Sequence, residues 1–361
     1  MKRIIFTVTN DLNYDRRMIR ICSSLSNAGY DVLLVGVSTR KSLPLETKVY
    51  RQKRIPLLFH KGFGFYAEYN FKLFWWLLFR KKDILCCIDL DTMLPVRFAA
   101  VLSGKKMVYD AHEYFSQQKE IITRPKVYKI WHWIERNWVP KFRNGYTVCD
   151  AIADEFKKQY NVDYSVIRSL PVLQRNEPVV EKEQKIILYR GAVNEGRGFT
   201  SLVLAMKQID AKLLIYGDGN FMEQTKALIA VNNLSEKVLL MGMVLPEALE
   251  TATEEAYIGT SIIENDGLNQ YYSLPNKFFD YINHRIPQVS MNYPEIKKLN
   301  DEFDIALLID EVTVEKIAEA LNKLLNDENL YQRLQQNCTK ARTVLNWQEE
   351  EKKLLAFYER I

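Results

Sequence analysis

The chain has 361 residues, of which 47% are hydrophobic and 26% charged, as is typical of a globular protein of about two domains. Disordered, collagen-like and coiled-coil classes are therefore excluded. The longest uncharged apolar run, residues 73–79, is also far shorter than the ~20 residues of a membrane-spanning helix. The net charge of +5 hides an asymmetry, because residues 1–170 contain 29 Lys and Arg against 16 Asp and Glu. This basic half predicts an anionic partner, either a nucleic acid or a lipid surface.

The beginning of the sequence predicts a β-strand rather than a secretory signal. A basic start precedes an apolar segment, but polar residues, among them Asn10, Asp11 and Asp15, interrupt it before a signal-like apolar core can form. The five cysteines are odd in number and have no C-x-x-C spacing, so neither a disulfide framework nor a zinc site is indicated. We therefore expect a cytoplasmic protein.

Short β-branched apolar runs alternate with amphipathic, helix-length segments along the whole chain. The runs predict strands at residues 3–8, 31–37, 84–88, 106–109, 146–148, 164–167, 186–190, 211–216, 238–241, 257–263, 287–291 and 305–309. Helical periodicity fits residues 16–28, 66–79, 128–138, 151–159, 200–208, 276–284, 314–325 and 329–344. The alternation predicts an α/β fold with parallel sheets and helices on both faces.

A boundary between two domains is predicted at residues 171–185. This segment has prolines, a charge run and no hydrophobic period, as is typical of a linker. It separates residues 1–170 from residues 186–345, and each part has enough strands for a doubly wound parallel sheet. We expect two such domains facing a cleft, with ligands beyond the carboxyl ends of the strands.

Two glycine-containing turns in the second half indicate a phosphate site. Residues 191–198 contain three glycines between a strand and a helix, so the backbone can approach a ligand closely, and Arg197 offers a planar fork of donors for phosphate oxygens. A second turn, at Gly217, follows the next strand. The first turn considered alone fits equally well with a turn that binds nothing, and for the second turn considered alone that alternative is favoured.

A helix start near Asn276 is a more specific signal. Its first-turn N–H groups have no partners within the helix and favour an anion, and Lys277 adds a positive charge there. Asp280 lies four residues after Asn276, hence on the same helix face, where a carboxylate can accept hydrogen bonds from sugar hydroxyls. The alternative is a capped helix with ordinary surface charges.

Two segments of the first half contain candidate polar sites. His112 directly follows a predicted strand, where an α/β protein has its ligand cleft. The alternative is a structural histidine whose side chain forms a hydrogen bond with neighbouring backbone. The loop after the first strand leads to a helix that begins near Asp15, and we expect this loop near an acceptor or the phosphates. Asp89 and Asp91 form a D-x-D pair, but two carboxylates alone are poor grounds for a metal site, so a polar strand end is favoured.

Basic and aromatic residues are interleaved in residues 51–82 and again in residues 124–143. Such a composition suits an anionic membrane surface and also suits nucleic acid. The alternative is a set of helices whose aromatic residues are core and whose cations are solvated.

The glycine turn with Arg197, the turn at Gly217 and the 273–281 segment, in this order, resemble glycosyltransferase family 4, and so does the D-x-H-E sequence at residues 110–113. Its members are retaining, nucleotide-sugar-dependent enzymes of the GT-B fold, with two Rossmann-like domains. The resemblance covers nearly the whole chain, since residues 346–361 are similar to the family's terminal helix, which crosses back onto the first domain.

The resemblance implies roles for particular residues. In the family, the turn at Gly191 and a basic residue at the position of Arg197 neutralise the donor diphosphate, and the segment 273–277 lines the phosphates. The carboxylate at the position of Asp280 holds the ribose, and the histidine at the position of His112 lies beside the donor sugar. The co-substrate is a UDP- or GDP-linked sugar, and neither a cofactor nor a metal is expected. The residues so assigned are His112, Arg197 and Lys277 as catalytic, Gly191, Gly217, Ser273, Leu274, Asn276 and Asp280 as donor-binding, and Asn10, Asp15, Arg16 and Glu113 on the acceptor side.

The chain departs from the family pattern at four positions. Arg197 stands where the family usually has a lysine and Asp280 where it usually has a glutamate, so both keep their charge. Ala192 stands where the family usually has an arginine, and Tyr272 stands where it has the first glutamate of a pair. Arg190 or Lys277 can supply the missing positive charge. The departures at Ala192 and Tyr272 favour a non-catalytic GT-B scaffold as one alternative function.

The sequence therefore predicts retaining transfer of a sugar from a nucleoside diphosphate to a glycan or lipid-linked saccharide. This reaction belongs to surface polysaccharide or lipopolysaccharide synthesis, and the basic half predicts a peripheral position at the inner membrane face. A sugar-nucleotide 2-epimerase of the same architecture is a second alternative. A nucleic-acid-binding module is disfavoured, because the basic half has no recognised stacking motif or reading helix.

Overall fold

The computed structural model describes residues 1–13, 15–39, 42–173, 182 and 184–361. This part of the chain divides into two compact units, Met1–Ser169 with Glu350–Ile361, and Leu170–Glu349. Each unit is built on one parallel sheet, so the predicted α/β class is confirmed.

The sheet of the first unit has seven parallel strands among the described residues. They are β1 (Arg3–Thr7), β2 (Asp31–Ser38), β3 (Arg51–Pro56), β4 (Ile84–Ile88), β5 (Lys106–Ala111), β6 (Gly145–Thr147) and β7 (Ser165–Val166). Their order is β3-β2-β1-β4-β5-β6-β7, so the direction of winding reverses at β1. The carboxyl ends of β1 and β4 therefore form a topological switch point.

The helices of the first unit connect these strands. They are α1 (Arg16–Asn27), α2 (Gly62–Leu78), α3 (Met93–Ser103), α4 (Lys119–Ile122), α5 (Pro125–Trp138) and α6 (Asp150–Tyr160). No helix among the described residues is both long and apolar enough to cross a bilayer.

The second unit repeats the arrangement with six parallel strands in its described part. They are β8 (Ile186–Arg190), β9 (Lys212–Tyr216), β10 (Val238–Gly242), β11 (Ile258–Ser261), β12 (Gln288–Met291) and β13 (Ala306–Ile309). The order is β10-β9-β8-β11-β12-β13, with the reversal at β8. The remaining helices are α7 (Phe199–Ala205), α8 (Met222–Val231), α9 (Pro246–Glu255), α10 (Leu268–Tyr271), α11 (Asn276–Asn283), α12 (Pro294–Phe303), α13 (Val314–Asn326), α14 (Glu328–Ala341) and α15 (Trp347–Arg360).

Helix α15 returns the chain to the first unit, which contains it from Glu350 onward. Tyr358 on this helix is fully buried. Its ring centroid lies 6.0 Å from that of Phe6 in β1 and 6.3 Å from that of Tyr146 in β6. The terminal helix is thus part of the aromatic core of the first unit.

The junction between the units is described up to residue 173. Leu170 is buried in a cluster of the second unit with Phe278 of α11, and Trp347 N donates to Pro171 O at 2.8 Å. Most of the predicted linker, residues 174–181 and 183, lies outside the described residues.

Candidate active site

The strands β8 and β9 end in two turns that fit closely against each other. Gly191 N donates to Tyr216 O at 2.9 Å. Gly217 has a φ of +136°, and a Cβ there would lie 1.9 Å from Gly191 O, so only glycine fits. Gly191 also has a positive φ, +129°, and the place of its missing Cβ faces Lys277, whose Cε is 3.8 Å away. Glycine at both positions therefore keeps a strip of backbone open beside Lys277.

Lys277 lies in the first turn of α11 with its ammonium group buried. Its Nζ lies 3.6 Å from the centroid of the Tyr189 ring and has no hydrogen-bond acceptor among the described residues. Burial, and then the charge of Arg197, lower the pKa of Lys277 well below its ordinary value. A buried ammonium group beside a second cation is stabilised by an anion, so this geometry favours a negatively charged ligand.

Arg197 lies at the end of the first glycine turn. The next residue, Gly198, is the N-cap of α7. Arg197 is partly exposed and makes no ion pair with any residue that the structure describes. The following residue, Gly198, has a φ of +68°, and a Cβ there would meet Ile262 Cγ2 at 2.7 Å. Close packing of this turn against the sheet thus fixes the backbone that carries Arg197.

Asp280 on α11 is held by a buried ion-pair network. Arg190, the last residue of β8, is only 3% exposed; its Nη2 lies 3.0 Å from Glu250 Oε1 and 3.4 Å from Asp280 Oδ2. Its Nη1 donates to Thr253 Oγ1 at 2.8 Å. Burial opposes the charge, but Asp280 and Glu250 outweigh it and raise the pKa of Arg190. The positive charge of Arg190 is therefore engaged by two carboxylates, whereas Lys277 faces the Gly191 turn.

His284 completes this network, although no sequence motif around it points to a functional site. Its Nε2 lies 3.1 Å from Glu250 Oε2, and its Nδ1 lies 2.8 Å from Asp280 O. Burial favours the neutral acid, but the hydrogen bond with His284 and the charge of Arg190 lower the pKa of Glu250 to about 2. Glu250 is thus ionised at neutral pH and ties α9 to the end of β8 and to α11.

The other predicted donor-binding residues have different environments. Ser273 Oγ donates to Gln270 O at 2.9 Å, and Leu274 packs partly buried against the cluster that contains Phe278. Asn276 is exposed at the first position of α11. The second unit therefore brings Gly191, Gly217 and Lys277 together, while Leu274 contributes to packing.

In the first unit, Asp89 organises the segment that contains His112. The Asp89 carboxylate accepts the backbone N–H groups of His112 at 2.9 Å and of Glu113 at 3.2 Å. Its backbone has φ +53° and ψ −173°, a region that is nearly restricted to glycine and costs about 1–3 kcal/mol in other residues. Burial, and then the charge of Glu113, raise the pKa of Asp89 well above its ordinary value.

Both carboxylates of the D-x-D pair, Asp89 and Asp91, accept hydrogen bonds from other groups of the protein. Asp91, the second member, accepts a hydrogen bond from Thr9 Oγ1 at 2.6 Å, and burial raises its pKa to about 7. Among the described residues, no group of three or more His, Cys, Asp or Glu side chains is arranged to hold a metal ion.

The predicted acceptor-side residues are largely occupied in local structure. Asn10 Nδ2 donates to Asp15 Oδ2 at 2.6 Å, and Asp15 Oδ1 accepts from Met18 N at 2.9 Å, which caps α1. Arg16 is exposed at the start of that helix, and the Glu113 carboxylate accepts from Gln118.

Sequence reasoning missed a second buried ion pair in this unit. Arg17 Nη2 lies 2.8 Å from Asp110 Oδ1, and the two residues are 3% and 0% exposed. Arg17 Nη1 also donates to Ile167 O at 3.2 Å. The pair joins α1 to the end of β5, directly before the His112 segment, and its partners are 93 residues apart in sequence.

Comparisons with known proteins match both units. Residues 15–171 match the family model Glycosyltransferase Family 4, and residues 173–341 match the model Glycosyl transferases group 1. No curated protein matches the chain significantly in sequence.

Solved structures resemble the chain over nearly its whole length. A sucrose-phosphate synthase from Thermosynechococcus elongatus has a TM-score of 0.83 at 14% identity, covering 100% of this chain and 99% of that chain. HepE from Anabaena, in complex with UDP-glucose, has a TM-score of 0.77 at 9% identity, with 100% of both chains covered. WaaG, a glycosyltransferase involved in lipopolysaccharide biosynthesis, has a TM-score of 0.74 at 14% identity, covering 97% of this chain and 98% of that chain. At these identities the likeness establishes the fold alone.

Proposed function

Because the chain belongs to glycosyltransferase family 4 and has the GT-B fold, we propose that it transfers a sugar from a nucleoside diphosphate sugar to a hydroxyl of a glycan or lipid-linked saccharide. Configuration at the anomeric carbon is retained in this proposal. The observation that carries it is the buried, unpaired ammonium group of Lys277 beside the open Gly191 turn and the charge of Arg197.

The second unit would bind the donor diphosphate. When the glycosidic bond breaks, the diphosphate leaves with increasing negative charge while the sugar becomes oxocarbenium-like. Fixed positive groups at that position, Lys277, Arg197 and the N-terminus of α11, stabilise this transition state more than the ground state. Asp280, oriented by Arg190, is proposed to accept hydrogen bonds from the ribose hydroxyls.

The first unit would supply the groups that act on the sugar and the acceptor. We assign His112 a place beside the donor sugar, because Asp89 holds its backbone in a defined, strained turn. Asn10, Asp15, Arg16 and Glu113 remain the proposed acceptor side. The chemistry needs neither a cofactor nor a metal in this proposal, since protein cations neutralise the leaving group.

The structural neighbours agree with this substrate class. One is a complex with UDP-glucose, and another acts in lipopolysaccharide biosynthesis. They support a nucleoside diphosphate sugar as donor and a role in polysaccharide or lipopolysaccharide synthesis. The UDP- or GDP-linked identity of the donor and the position at the inner membrane face belong to the proposal. Ala192, which favoured a non-catalytic scaffold, does not leave the turn without a cation, because Lys277 lies beside Gly191.

The proposal is tested by incubating the protein with common UDP- and GDP-linked sugars and measuring free nucleoside diphosphate with and without saccharide acceptors. We expect release that increases with an acceptor and is lost in Lys277→Ala. The exposed Lys226→Ala in the same unit is the matched control. Conversion of the donor alone to an epimeric nucleotide sugar would instead indicate an epimerase. Failure to bind any nucleoside diphosphate would indicate a scaffold.

A further inference from the structure

The outward face of α2 is aromatic rather than polar. Phe71, Trp75 and Phe79, spaced four residues apart and here named the aromatic stripe, are 67%, 46% and 78% exposed. Their rings touch in sequence, with centroid distances of 6.4 Å and 6.3 Å. A contiguous row of exposed aromatic rings on a helix marks an interaction surface, since soluble proteins seldom expose such patches to water.

A basic pocket of about 400 Å³ adjoins the end of the aromatic stripe. Phe79 forms part of its wall, and the charged groups that line it are Arg3, Asp31, Arg51, Arg80 and Lys81. The single acid, Asp31, lies 2.6 Å from Arg51 and 3.4 Å from Arg3. Four cations against one carboxylate leave the pocket with net positive charge.

The position of this surface separates it from the candidate active site. Arg3, Asp31 and Arg51 are the first residues of β1, β2 and β3, so the pocket lies at the amino ends of the strands. His112 follows the carboxyl end of β5, at the opposite edge of the sheet. Helix α2 connects the parallel strands β3 and β4, so it runs from the carboxyl edge of the sheet back to the amino edge. A flat surface that lies along α2 therefore passes both edges of the sheet.

The charges around the stripe favour an anionic partner. Glu68 is the acid within α2, and its carboxylate accepts from Lys72 Nζ at 2.7 Å and from the backbone N–H groups of Leu58 and Phe59. Arg80 and Lys81 form no ion pair within the described part of the chain, and the Arg80 guanidinium lies 4.8 Å from the centroid of the Trp76 ring. Aromatic rings flanked by unpaired cations match the boundary between headgroups and acyl chains in an anionic bilayer.

We propose that the aromatic stripe and the basic pocket form a membrane-docking surface, in which the rings enter the headgroup boundary and the pocket binds a lipid phosphate. This proposal rests on the proposed function only for the purpose of docking, which is to hold the protein where lipid-linked acceptors are. Docking itself needs no donor and no acceptor.

The test is co-sedimentation of the full chain with phosphatidylcholine vesicles, with and without phosphatidylglycerol. We expect wild-type protein to bind the phosphatidylglycerol vesicles strongly and the neutral ones weakly. Arg80→Gln with Lys81→Gln weakens binding about thirtyfold at low salt, because each cation near an anionic surface contributes roughly fivefold. Trp75→Ser with Phe79→Ser weakens it more than about tenfold at low and high salt, because the lost contribution is apolar.

Matched controls come from the exposed surface of the second unit. Lys207→Gln with Lys340→Gln removes two charges there, and Val231→Ser removes an exposed apolar residue that is 81% accessible. Both controls should bind vesicles like wild type. All variants should keep the wild-type unfolding midpoint and vesicle-free release of nucleoside diphosphate, so loss of docking is distinguishable from failure of the proposed enzyme activity.

Three results would overturn the inference. The first is vesicle binding by the stripe and pocket variants that equals the wild type. The second is a wild-type dimer in vesicle-free solution that Trp75→Ser with Phe79→Ser disperses, without any vesicle binding, since the stripe would then be an interface between copies of the chain. The third is inorganic phosphate binding that Arg80→Gln with Lys81→Gln abolishes, again without vesicle binding, since the pocket would then serve a soluble phosphate.

Discussion

At the scale of single residues, the ammonium group of Lys277 is the most informative feature. It is buried, it faces Tyr189 and the Gly191 turn, and Arg197 adds a second positive charge nearby. Burial, and then the charge of Arg197, lower the pKa of Lys277 in the free protein, so the charged form is less favoured there than in an exposed lysine. A diphosphate placed against both cations would raise the pKa of Lys277 and draw a proton from solvent.

We therefore predict that binding of UDP or GDP is accompanied by proton uptake at pH values between the pKa of Lys277 in the free protein and its pKa in the complex, and that binding weakens as pH rises through this interval. Isothermal titration calorimetry in buffers of different ionisation enthalpy measures the uptake directly. Lys277→Met should abolish it, and Lys226→Met, an exposed lysine of the same unit, should not. Binding without proton exchange in the wild type would contradict the assignment of Lys277 to the diphosphate.

Arg197 offers a separate prediction about rate. Removing a preorganised charge that acts on a leaving group costs on the order of 3 kcal/mol, or roughly a hundredfold in kcat. Arg197→Ala should show this loss with an unchanged unfolding midpoint, whereas Arg197→Lys, which preserves the charge, should retain most of the activity. Steady-state kinetics of nucleoside diphosphate release checks both variants. Unchanged turnover in Arg197→Ala would refute the role.

The sequence alone was sufficient to select Lys277 and Arg197, because short motifs place them at a helix start and a glycine turn. It was not sufficient for the partners of Arg190. Glu250 is 60 residues from Arg190 in the sequence, and its hydrogen bond depends on how α9 packs beside β8. Such long-range ion pairs leave no periodic signal in a single sequence.

At the scale of elements, Asp89 shows how a strand end can position a loop. It adopts a backbone conformation suited to glycine and uses its carboxylate to hold two N–H groups of the His112 segment. The cost of that conformation is offset by the hydrogen bonds of a buried acceptor. Asp89 is thus a positioning residue for His112 in the proposed reaction.

We predict that Asp89→Gly lowers kcat by roughly tenfold to a hundredfold while UDP affinity in the second unit stays unchanged. Glycine relieves the backbone but removes the acceptor, and a displaced catalytic group costs about this much. His112→Ala should give the same split, with donor binding retained and transfer lost. Kinetics combined with equilibrium binding of UDP separates the two quantities. An equal loss of UDP affinity in both variants would show a structural role instead.

Most elements were predictable from the sequence because their apolar residues follow the period of the element. The structure contains all twelve predicted strands, with ends shifted by at most two residues, and β3 in addition. The strand β3 has the sequence Arg-Gln-Lys-Arg-Ile-Pro at the edge of its sheet, and Ile55 is its only buried residue among those described. An edge strand with little apolar surface has no detectable run. The helices α3 and α8 were not predicted either, because their apolar residues are not concentrated on one face. The helices α9 and α12, which start at prolines and bury few side chains, were also not predicted.

At the scale of the whole molecule, the two parallel sheets were predictable because alternating strands and helices permit few other architectures. The places of individual aromatic residues were not. In residues 51–82, Tyr69, Leu73 and Leu77 form the buried side of α2, whereas the aromatic stripe is exposed. Both sides of this helix are apolar, so only the packed structure distinguishes core from surface.

The return of α15 to the first unit gives the last prediction, because it makes the stability of that unit depend on the end of the chain. Tyr358 is fully buried between Phe6 and Tyr146, and truncating a buried aromatic side chain to alanine costs about 3–5 kcal/mol. Tyr358→Ala should therefore lower the calorimetric unfolding transition of the first unit. UDP should still raise the transition of the second unit in this variant, since a ligand stabilises the unit that binds it.

The matched control is Tyr331→Ala on α14, where the ring stacks on Tyr257 at a centroid distance of 4.0 Å within the second unit. This substitution should lower the transition that UDP raises and leave the other one in place. If Tyr358→Ala instead lowered the UDP-sensitive transition, the terminal helix would stabilise the second unit. Residues 350–361 would then stabilise the second unit although they pack in the first, and the division of the chain at Glu350 would not describe its unfolding in solution.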